Sequence, residues 1–224
     1  MLTVHHLNNS RSQRVLWLLE ELGVPYEIVR YERDPQTMLA PPALKAIHPL
    51  GKSPVVTEDG EAIAETGAIV EYILERYGQG RLAPTPGTPA ARRLKYWLHY
   101  AEGSAMPPLL LKLVFTRLPT NAPALVRPIV RGIAGRAQTS FIDPQLVAHF
   151  DYWEGELEKA EWFAGDDFTA ADIMMSFPLE AAADRGGVRV GRPKVAAFLK
   201  KIHVRPAYRK ALERGGPYAY AGDE

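Results

Sequence analysis

The 224-residue chain contains no cysteine at all. This absence excludes disulfide bonds, thiolate metal sites and a cysteine nucleophile. If sulfur chemistry takes place on this protein, the sulfur atom therefore belongs to a ligand. The six histidines show no metal-binding spacing such as H-E-x-x-H, so we expect no metal site.

Long apolar runs and an excess of one charge are also missing. No run approaches the roughly 18 apolar residues of a membrane-spanning helix, and residues 1–6 lack the apolar core of a signal peptide. The formal net charge of +1 gives no general basic field that would attract nucleic acid or an anionic membrane. We therefore expect a cytoplasmic protein that has no membrane span and binds no nucleic acid.

The first part of the chain alternates between strand and helix periodicity, which predicts a small mixed sheet with helices on its faces. The predicted strands cover residues 2–7 and 26–31 and the short runs 55–57 and 62–63, and the predicted helices cover residues 12–22, 41–45 and 66–77. The order βαβ-α-ββα follows from this pattern.

Glycine and proline are concentrated between residues 78 and 89, which is typical of a domain boundary. Beyond this linker the pattern is helical to the end of the chain. Two consecutive prolines, at positions 107 and 108, predict that the first long helix of this region bends or breaks there.

The segment 48–56, together with the pair Glu65-Thr66, carries the clearest functional signal. Pro54 cannot donate a hydrogen bond to a sheet, so it marks an open strand edge. Glu65 and Thr66 lie where the next helix begins. An open edge can pair with the backbone of an extended ligand, and a helix N-terminus binds a carboxylate. These features together suit a peptide-like ligand whose amine contacts Glu65.

Four segments occur in the order and spacing of one enzyme family. They are residues 9–15 ahead of the first helix, the turn 51–54, the pair 65–66 and the segment 169–172. With them the chain resembles the soluble glutathione transferases over nearly its whole length, and most of all a subgroup of fungal and bacterial enzymes. The resemblance implies an α/β plus all-α protein, with a thioredoxin-like domain at residues 1–82 and an all-helical domain at residues 88–224.

The resemblance also implies how glutathione, the co-substrate, is bound. The peptide bond before Pro54 would be cis, exposing the backbone of Ser53 to the cysteinyl amide. Thr66, at the positive end of its helix, would bind the γ-glutamyl carboxylate. Glu65 would pair with the amine, and Lys52 would meet the glycyl carboxylate.

The thiol of glutathione would lie at the N-terminus of the first helix, where family members use a Tyr, Ser or Cys to stabilise the thiolate. Hydrogen-bond donors and a helix N-terminus lower a thiol pKa from about 8.5. The first strand has no tyrosine, so Ser10 is the leading catalytic candidate, with Asn9 as its rival. Ser12 is a further candidate for contact with glutathione. Helix capping alone would also explain either serine.

The second substrate and the partner subunit are predicted from the resemblance as well. Tyr100 and Met106 lie on the helix that would face the site and are candidates for the second-substrate pocket, although aromatics at helical spacing are usually core. A homodimer is implied, in which His99 or Glu102 of one subunit approaches the γ-glutamyl group bound by the other.

The function predicted from this resemblance is conjugation of the glutathione thiolate to apolar electrophiles, without a metal. Two alternatives remain open: a glutathione-dependent peroxidase or disulfide reductase on the same fold, and a non-catalytic interaction module. The complete binding set of Lys52, Pro54, Glu65 and Thr66 argues against the last, because a pure scaffold does not require a tripeptide site.

Overall fold

The computed structural model describes residues 1–186 and 190–221. The first part of the chain forms a sheet with three helices, as the periodicity predicts. Its elements are β1 (Thr3–Leu7), α1 (Ser12–Leu22), β2 (Glu27–Tyr31), α2 (Ala43–Ile47), β3 (Val55–Glu58), β4 (Glu61–Ala64) and α3 (Thr66–Tyr77).

The four strands lie in the order β2-β1-β3-β4, with β1 parallel to β2 and the other pairs antiparallel. Val55 at the start of β3 is opposite both His5 of β1 and Ala64 of β4. This register brings the end of β1, the start of β3 and the end of β4 to one end of the sheet. Residues 48–54 precede β3 and the pair Glu65-Thr66 follows β4, so both functional segments lie at this end.

Helix α1 lies at the centre of the molecule. Its apolar residues are fully or almost fully buried: Val15, Leu16, Trp17, Leu18, Leu19 and Leu22. The helix contacts β1 and α3 on one side and α8 (Ala170–Gly186) and α10 (Pro206–Gly215) on the other. It ends at Gly23, whose positive φ of 65° favours glycine. The N-terminus of α1 therefore lies where the sheet meets the C-terminal helices.

The second part of the chain is helical. Besides α8 and α10 it contains α4 (Pro89–Tyr100), α5 (Met106–Arg117), α6 (Arg127–Ala137), α7 (Asp143–Lys159) and α9 (Pro193–His203). The expected interruption at residues 107–108 takes another form. A π-helical segment, Ala101–Ala105, joins α4 to α5, and both prolines lie in the first turn of α5. The wider π turn accommodates residues that cannot donate an N–H, so the helix changes its winding instead of stopping.

Two general features of the described residues bear on function. None of their helices is long and apolar enough to cross a membrane. Nor do residues 1–186 and 190–221 contain a group of three or more His, Asp or Glu side chains that could hold a metal ion.

Candidate active site

Ser53 connects the start of β3 to β1 through its side chain. Its Oγ donates to the carbonyl of His5 at 2.9 Å and accepts from the N–H of Leu7 at 3.3 Å. The Ser53–Pro54 peptide bond is cis, as expected. In the described part of the chain the Ser53 backbone has no backbone hydrogen-bond partner. The main chain at Ser53, just ahead of β3, is thus left free to pair with another extended backbone.

Glu65 and Thr66 form the junction between β4 and α3. Glu65 has a positive φ of 69° and an exposed side chain, and its carboxylate makes no ion pair or hydrogen bond with the residues described. Thr66 is buried as the first residue of α3. The N–H groups of a helix's first turn lack intrahelical acceptors and carry partial positive charge. A free carboxylate therefore adjoins a helix end that attracts anions.

Lys52 supplies a charge of opposite sign next to Ser53 in the chain. Its side chain is exposed, and none of the ion pairs found in the described residues includes it. Lys52 precedes the open backbone of Ser53, while Glu65 lies across the hairpin from Pro54, one step beyond the pairing of Val55 with Ala64. Two charges of opposite sign thus flank the unpaired backbone of Ser53. The prediction of an open strand edge at Pro54 is wrong, because β3 lies between β1 and β4 and pairs with both.

Asn9 lies in the loop between β1 and α1 and is held by a hydrogen bond from the last described segment of the chain. Asn9 has a positive φ of 49°, which asparagine tolerates better than most residues. Its Oδ1 accepts the backbone N–H of Ala219 at 2.8 Å. Its Nδ2 has no hydrogen-bond partner among residues 1–186 and 190–221. Asn8 is fixed by the N–H of Arg33, which donates to its Oδ1 at 3.0 Å. Asn8 and Asn9 each keep an amide NH₂ group that no described residue accepts, and Asn9 is the one next to Ser10 and α1.

Ser10 lies below the surface, in a cluster of hydroxyl groups. It is 4% exposed, and its Oγ lies 2.7 Å from Ser12 Oγ and accepts the N–H of Ser12. Ser12 Oγ in turn lies 2.9 Å from Nδ1 of His6. Burial and the positive charge of Arg30 lower the pKa of His6 to about 4, so the imidazole is neutral at pH 7.

Ser10 and Ser12 share a hydrogen bond beneath the surface, and either hydroxyl can be its donor. Ser12 Oγ also contacts Nδ1 of His6 and the carbonyl of Leu7. The Ser10 hydroxyl is thus buried and bonded to Ser12, whereas the half-buried Asn9 amide keeps an NH₂ group without a partner in the described residues. This geometry favours Asn9 over Ser10 as the donor to a bound thiol.

Two arginines, one just before α1 and one in its first turn, form a charged cluster that was not predicted from the sequence. Arg11 Nε lies 2.8 Å from Glu102 Oε2, and Arg14 contacts the other carboxylate oxygen and the carbonyl of Met174. Both guanidinium groups lie over the ring of Phe177, at 5.5 and 5.4 Å. Burial alone would raise the pKa of Glu102, but the two guanidinium groups outweigh it and lower that pKa. The only sequence signal was the spacing of the two arginines along the helix.

This cluster bears on the predicted contact with a partner subunit. The Glu102 carboxylate is engaged within its own chain by Arg11 and Arg14. His99, one turn earlier on α4, is exposed. Of the two predicted contacts, His99 is thus the more exposed, and Glu102 is already paired within its own chain.

Tyr100 and Met106 lie in the helical core, not on an open surface. They are 8% and 5% exposed. The Tyr100 hydroxyl accepts from Trp153 Nε1 at 3.0 Å and also bonds to Nδ1 of His149, so both of its roles are taken. A cavity of about 210 Å³ lies elsewhere, between residues 80–84 and 164–169, and no candidate site residue lines it. Tyr100 and Met106 are therefore core residues in this structure.

Comparison with known proteins decides the family. The family models described as "Glutathione S-transferase, N-terminal domain" and "Glutathione S-transferase, C-terminal domain" match residues 1–75 and 136–201. The chain belongs to the glutathione S-transferase family. It is 35% identical to glutathione S-transferase 3 of Schizosaccharomyces pombe over 96% of this chain and 88% of that protein. It is 33% identical to glutathione S-transferase 1 of Saccharomyces cerevisiae over 96% of this chain and 95% of that one.

A solved structure extends the likeness to the whole fold of this glutathione S-transferase. The crystal structure of a glutathione S-transferase from Actinobacillus pleuropneumoniae is 30% identical and covers 100% of this chain and 97% of its own, with a TM-score of 0.81. The thioredoxin-like sheet and the helical second part are thus those of the family, as predicted.

Proposed function

We propose that this protein conjugates the thiolate of glutathione to an electrophilic centre on an apolar second substrate. The observation that carries the proposal is the unpaired backbone of Ser53, flanked by the charges of Lys52 and Glu65 and by the N-terminus of α3. Glutathione is an extended tripeptide with one amine, two carboxylates and one thiol. Each of these groups has a matching partner at this end of the sheet.

The proposed contacts follow this chemistry. The backbone of Ser53, next to Pro54, pairs with the cysteinyl amide. Thr66 and the first turn of α3 bind the γ-glutamyl carboxylate, and Glu65 binds the adjoining amine. Lys52 binds the glycyl carboxylate. A sphingomonad glutathione S-transferase of matching fold, with a TM-score of 0.72 at 24% identity, was solved in complex with glutathione, which supports such binding on this fold.

The proposed catalytic step depends on the loop between β1 and α1. The Nδ2 of Asn9 donates a hydrogen bond to the glutathione sulfur, and the positive end of α1 with the nearby Arg11 adds further stabilisation of the anion. A thiolate is a far better nucleophile than a thiol, and two reactants held together react faster than two in solution. Ser10 and Ser12 support the loop from beneath.

The assembly and cellular setting are part of the same proposal. We propose a homodimer in which α4 faces the partner, because His99 and the 47% exposed Tyr96 lie on the same face of that helix. Because the co-substrate must be a reduced thiol, the cytoplasm with its reducing glutathione pool is the matching compartment. The role that fits is removal of reactive electrophiles.

Turnover on a small set of substrates tests the proposal. Purified protein is bound to immobilised glutathione, and then assayed with a chlorinated aromatic and with an organic hydroperoxide. We expect retention on the resin and a thioether product, identified by mass spectrometry. Retention with reduction of the hydroperoxide alone would favour the peroxidase alternative, and no retention would contradict the tripeptide site.

A further inference from the structure

The last described residues, Gly216–Ala221, lie across the junction of the sheet and the helical part; we call this segment the C-terminal strap. The N–H of Ala219 donates to Asn9 Oδ1 at 2.8 Å, although 210 residues separate the two in sequence. This is a contact between the end of the chain and the loop that precedes α1. It reaches the side chain proposed to meet the glutathione sulfur.

The hydrogen bond determines which end of the Asn9 amide is free. A side-chain amide carries an acceptor oxygen and a donor NH₂ group on opposite sides. Since Ala219 N–H is a donor, it selects the oxygen, and the reversed amide would bring two donors together. The NH₂ group is left without a partner in the described residues. The strap thus turns the amide so that its donor end is available.

The strap itself is anchored on α8. The Tyr218 hydroxyl donates to Glu180 Oε2 at 2.6 Å, and Tyr208 donates to the other oxygen of that carboxylate at 2.7 Å. The Tyr220 ring meets Phe177 edge-on, with ring centroids 5.6 Å apart. Phe177 is the ring beneath Arg11 and Arg14, so the strap rests on the same part of α8 as the charged cluster.

The beginning of the strap has little freedom to shift. A Cβ on Gly215 would lie 2.8 Å from Gln13 Oε1 and 2.9 Å from a methyl group of Leu16, so the chain passes close against α1. Gly216 has a positive φ of 84°. The chain that leads to Ala219 is therefore held at two points, against α1 at Gly215 and against α8 at Tyr218.

We propose that the C-terminal strap is a positioning element for catalysis: the Ala219 N–H orients the Asn9 amide so that its NH₂ group meets the glutathione sulfur. Ala219 and Tyr218 act through Asn9 and touch no substrate in this proposal. The inference rests on the proposed function, because it takes the sulfur to lie at the loop between β1 and α1.

The decisive variant is Ala219→Pro, which removes the N–H, and Ala219→Gly is its matched control, because it keeps the N–H. The readout is the pKa of the bound thiol, from the ultraviolet absorbance of the thiolate in the glutathione complex across pH. We expect Ala219→Pro to raise that pKa by about half a unit to one unit, as loss of one ordinary hydrogen bond implies. We expect glutathione affinity within about twofold of wild type, because Lys52, Glu65 and Thr66 are untouched.

A second set of variants separates positioning from a general structural effect. Asn9→Ala and the double variant Asn9→Ala/Ala219→Pro should show the same thiol pKa, because the strap has nothing left to orient. Tyr218→Phe keeps the ring but loses the bond to Glu180, and should raise the pKa by a smaller amount. Thermal unfolding of each variant identifies any that fails to fold.

The outcomes distinguish the two proposals. If wild type binds glutathione and Ala219→Pro leaves the thiol pKa unchanged, or if the two substitutions are additive, the strap does not act through Asn9. If wild type does not bind glutathione, the proposed function fails, and this inference fails with it.

Discussion

Two exposed side chains, Lys52 and Glu65, carry most of the expected affinity for glutathione. Each is a charge without a partner among the described residues, and each flanks the open backbone of Ser53. In the complex each charge is paired with a charge of the ligand and loses its water. Removing one member of such a buried pair costs on the order of 2–5 kcal/mol of binding free energy.

Glu65→Gln should therefore weaken glutathione binding by roughly 30-fold or more, since about 1.4 kcal/mol is a factor of ten. The KM for the electrophile should change far less, because Glu65 is assigned to the γ-glutamyl amine alone. Isothermal titration with glutathione and steady-state kinetics measure the two effects. Glu61→Gln, an exposed glutamate at the start of the preceding strand β4, is the control. A glutathione affinity within twofold of wild type would place the tripeptide elsewhere.

Asn9 and Ser10 make opposite predictions about the thiolate. A hydrogen bond to a charged group contributes about 1.5–3 kcal/mol, so Asn9→Ala should lower kcat by roughly 10- to 150-fold. It should also move the midpoint of the pH–rate profile upward, because the thiolate loses a stabilising donor. Ser10→Ala should keep the wild-type midpoint, because the Ser10 hydroxyl is buried and bonded to Ser12. The reverse pattern would restore Ser10 as the catalytic donor.

At the scale of an element, the start of α8 depends on one buried carboxylate. Asp172 accepts the N–H of Phe163 through Oδ1 and the N–H of Thr169 through Oδ2, each at 2.8 Å. Thr169 Oγ1 accepts the N–H of Ala171 at 3.2 Å. Burial raises the pKa of Asp172 to about 6, although these hydrogen bonds act in the opposite direction. The carboxylate thus links the loop before α8 to the first turn of that helix.

Asp172→Ala should lower the free energy of unfolding by about 3 kcal/mol or more, because two buried N–H groups lose their acceptors. Urea unfolding at pH 7 measures the change. Asp172→Asn keeps one acceptor oxygen and should cost less. Asp167→Asn, an exposed aspartate in the preceding loop, should be close to neutral. Equal stability of Asp172→Ala and wild type would show that the carboxylate does not stabilise the start of α8.

The elements that could be predicted from sequence are those whose ends carry local signals. The helices Ser12–Leu22 and Thr66–Tyr77 match the prediction residue for residue, because a glycine follows each and apolar spacing defines each face. The π-helical segments Ala101–Ala105 and Gln138–Ile142 escaped it. Apolar periodicity continues through such a segment, and nothing local shows that its hydrogen bonds span five residues.

The site was predicted only in part, for a similar reason. The segment around Ser53 and Glu65 has local turn and helix signals, so its position at one end of the sheet followed from pattern. The environment of the His6 ring depends on Gly215, and the orientation of Asn9 depends on Ala219. These contacts join positions that are about 200 residues apart, and no local pattern contains them.

At the scale of the whole molecule, His6 links the stability of the two parts of the chain to pH. It bonds to Ser12 of α1 and to the backbone of Gly215 in α10, and its pKa falls from 6.5 to about 4. The folded state holds the ring neutral, so unfolding takes up a proton between these two pH values. This part of the stability is fully present above about pH 6.5 and is lost as the pH falls toward 4.

Between pH 7 and pH 5, wild type should therefore lose roughly 2 kcal/mol more stability than His6→Gln, which cannot take up this proton. Denaturant unfolding at the two pH values measures the difference. Parallel pH profiles of wild type and His6→Gln would show that the ring is not held neutral by the fold.

The pKa of the glutathione thiol in the binary complex tests the central claim most directly. Thiolate absorbance is followed across pH with wild-type binding sites in excess over glutathione. The variant Glu65→Gln, at the same concentrations, is the binding control. The proposed site predicts a thiol pKa at least one unit below the value of about 8.5 for a free thiol. In the control, at the same concentrations, this lowering of the thiol pKa should be lost. A bound thiol that titrates as it does in solution would contradict the proposal that this site activates glutathione.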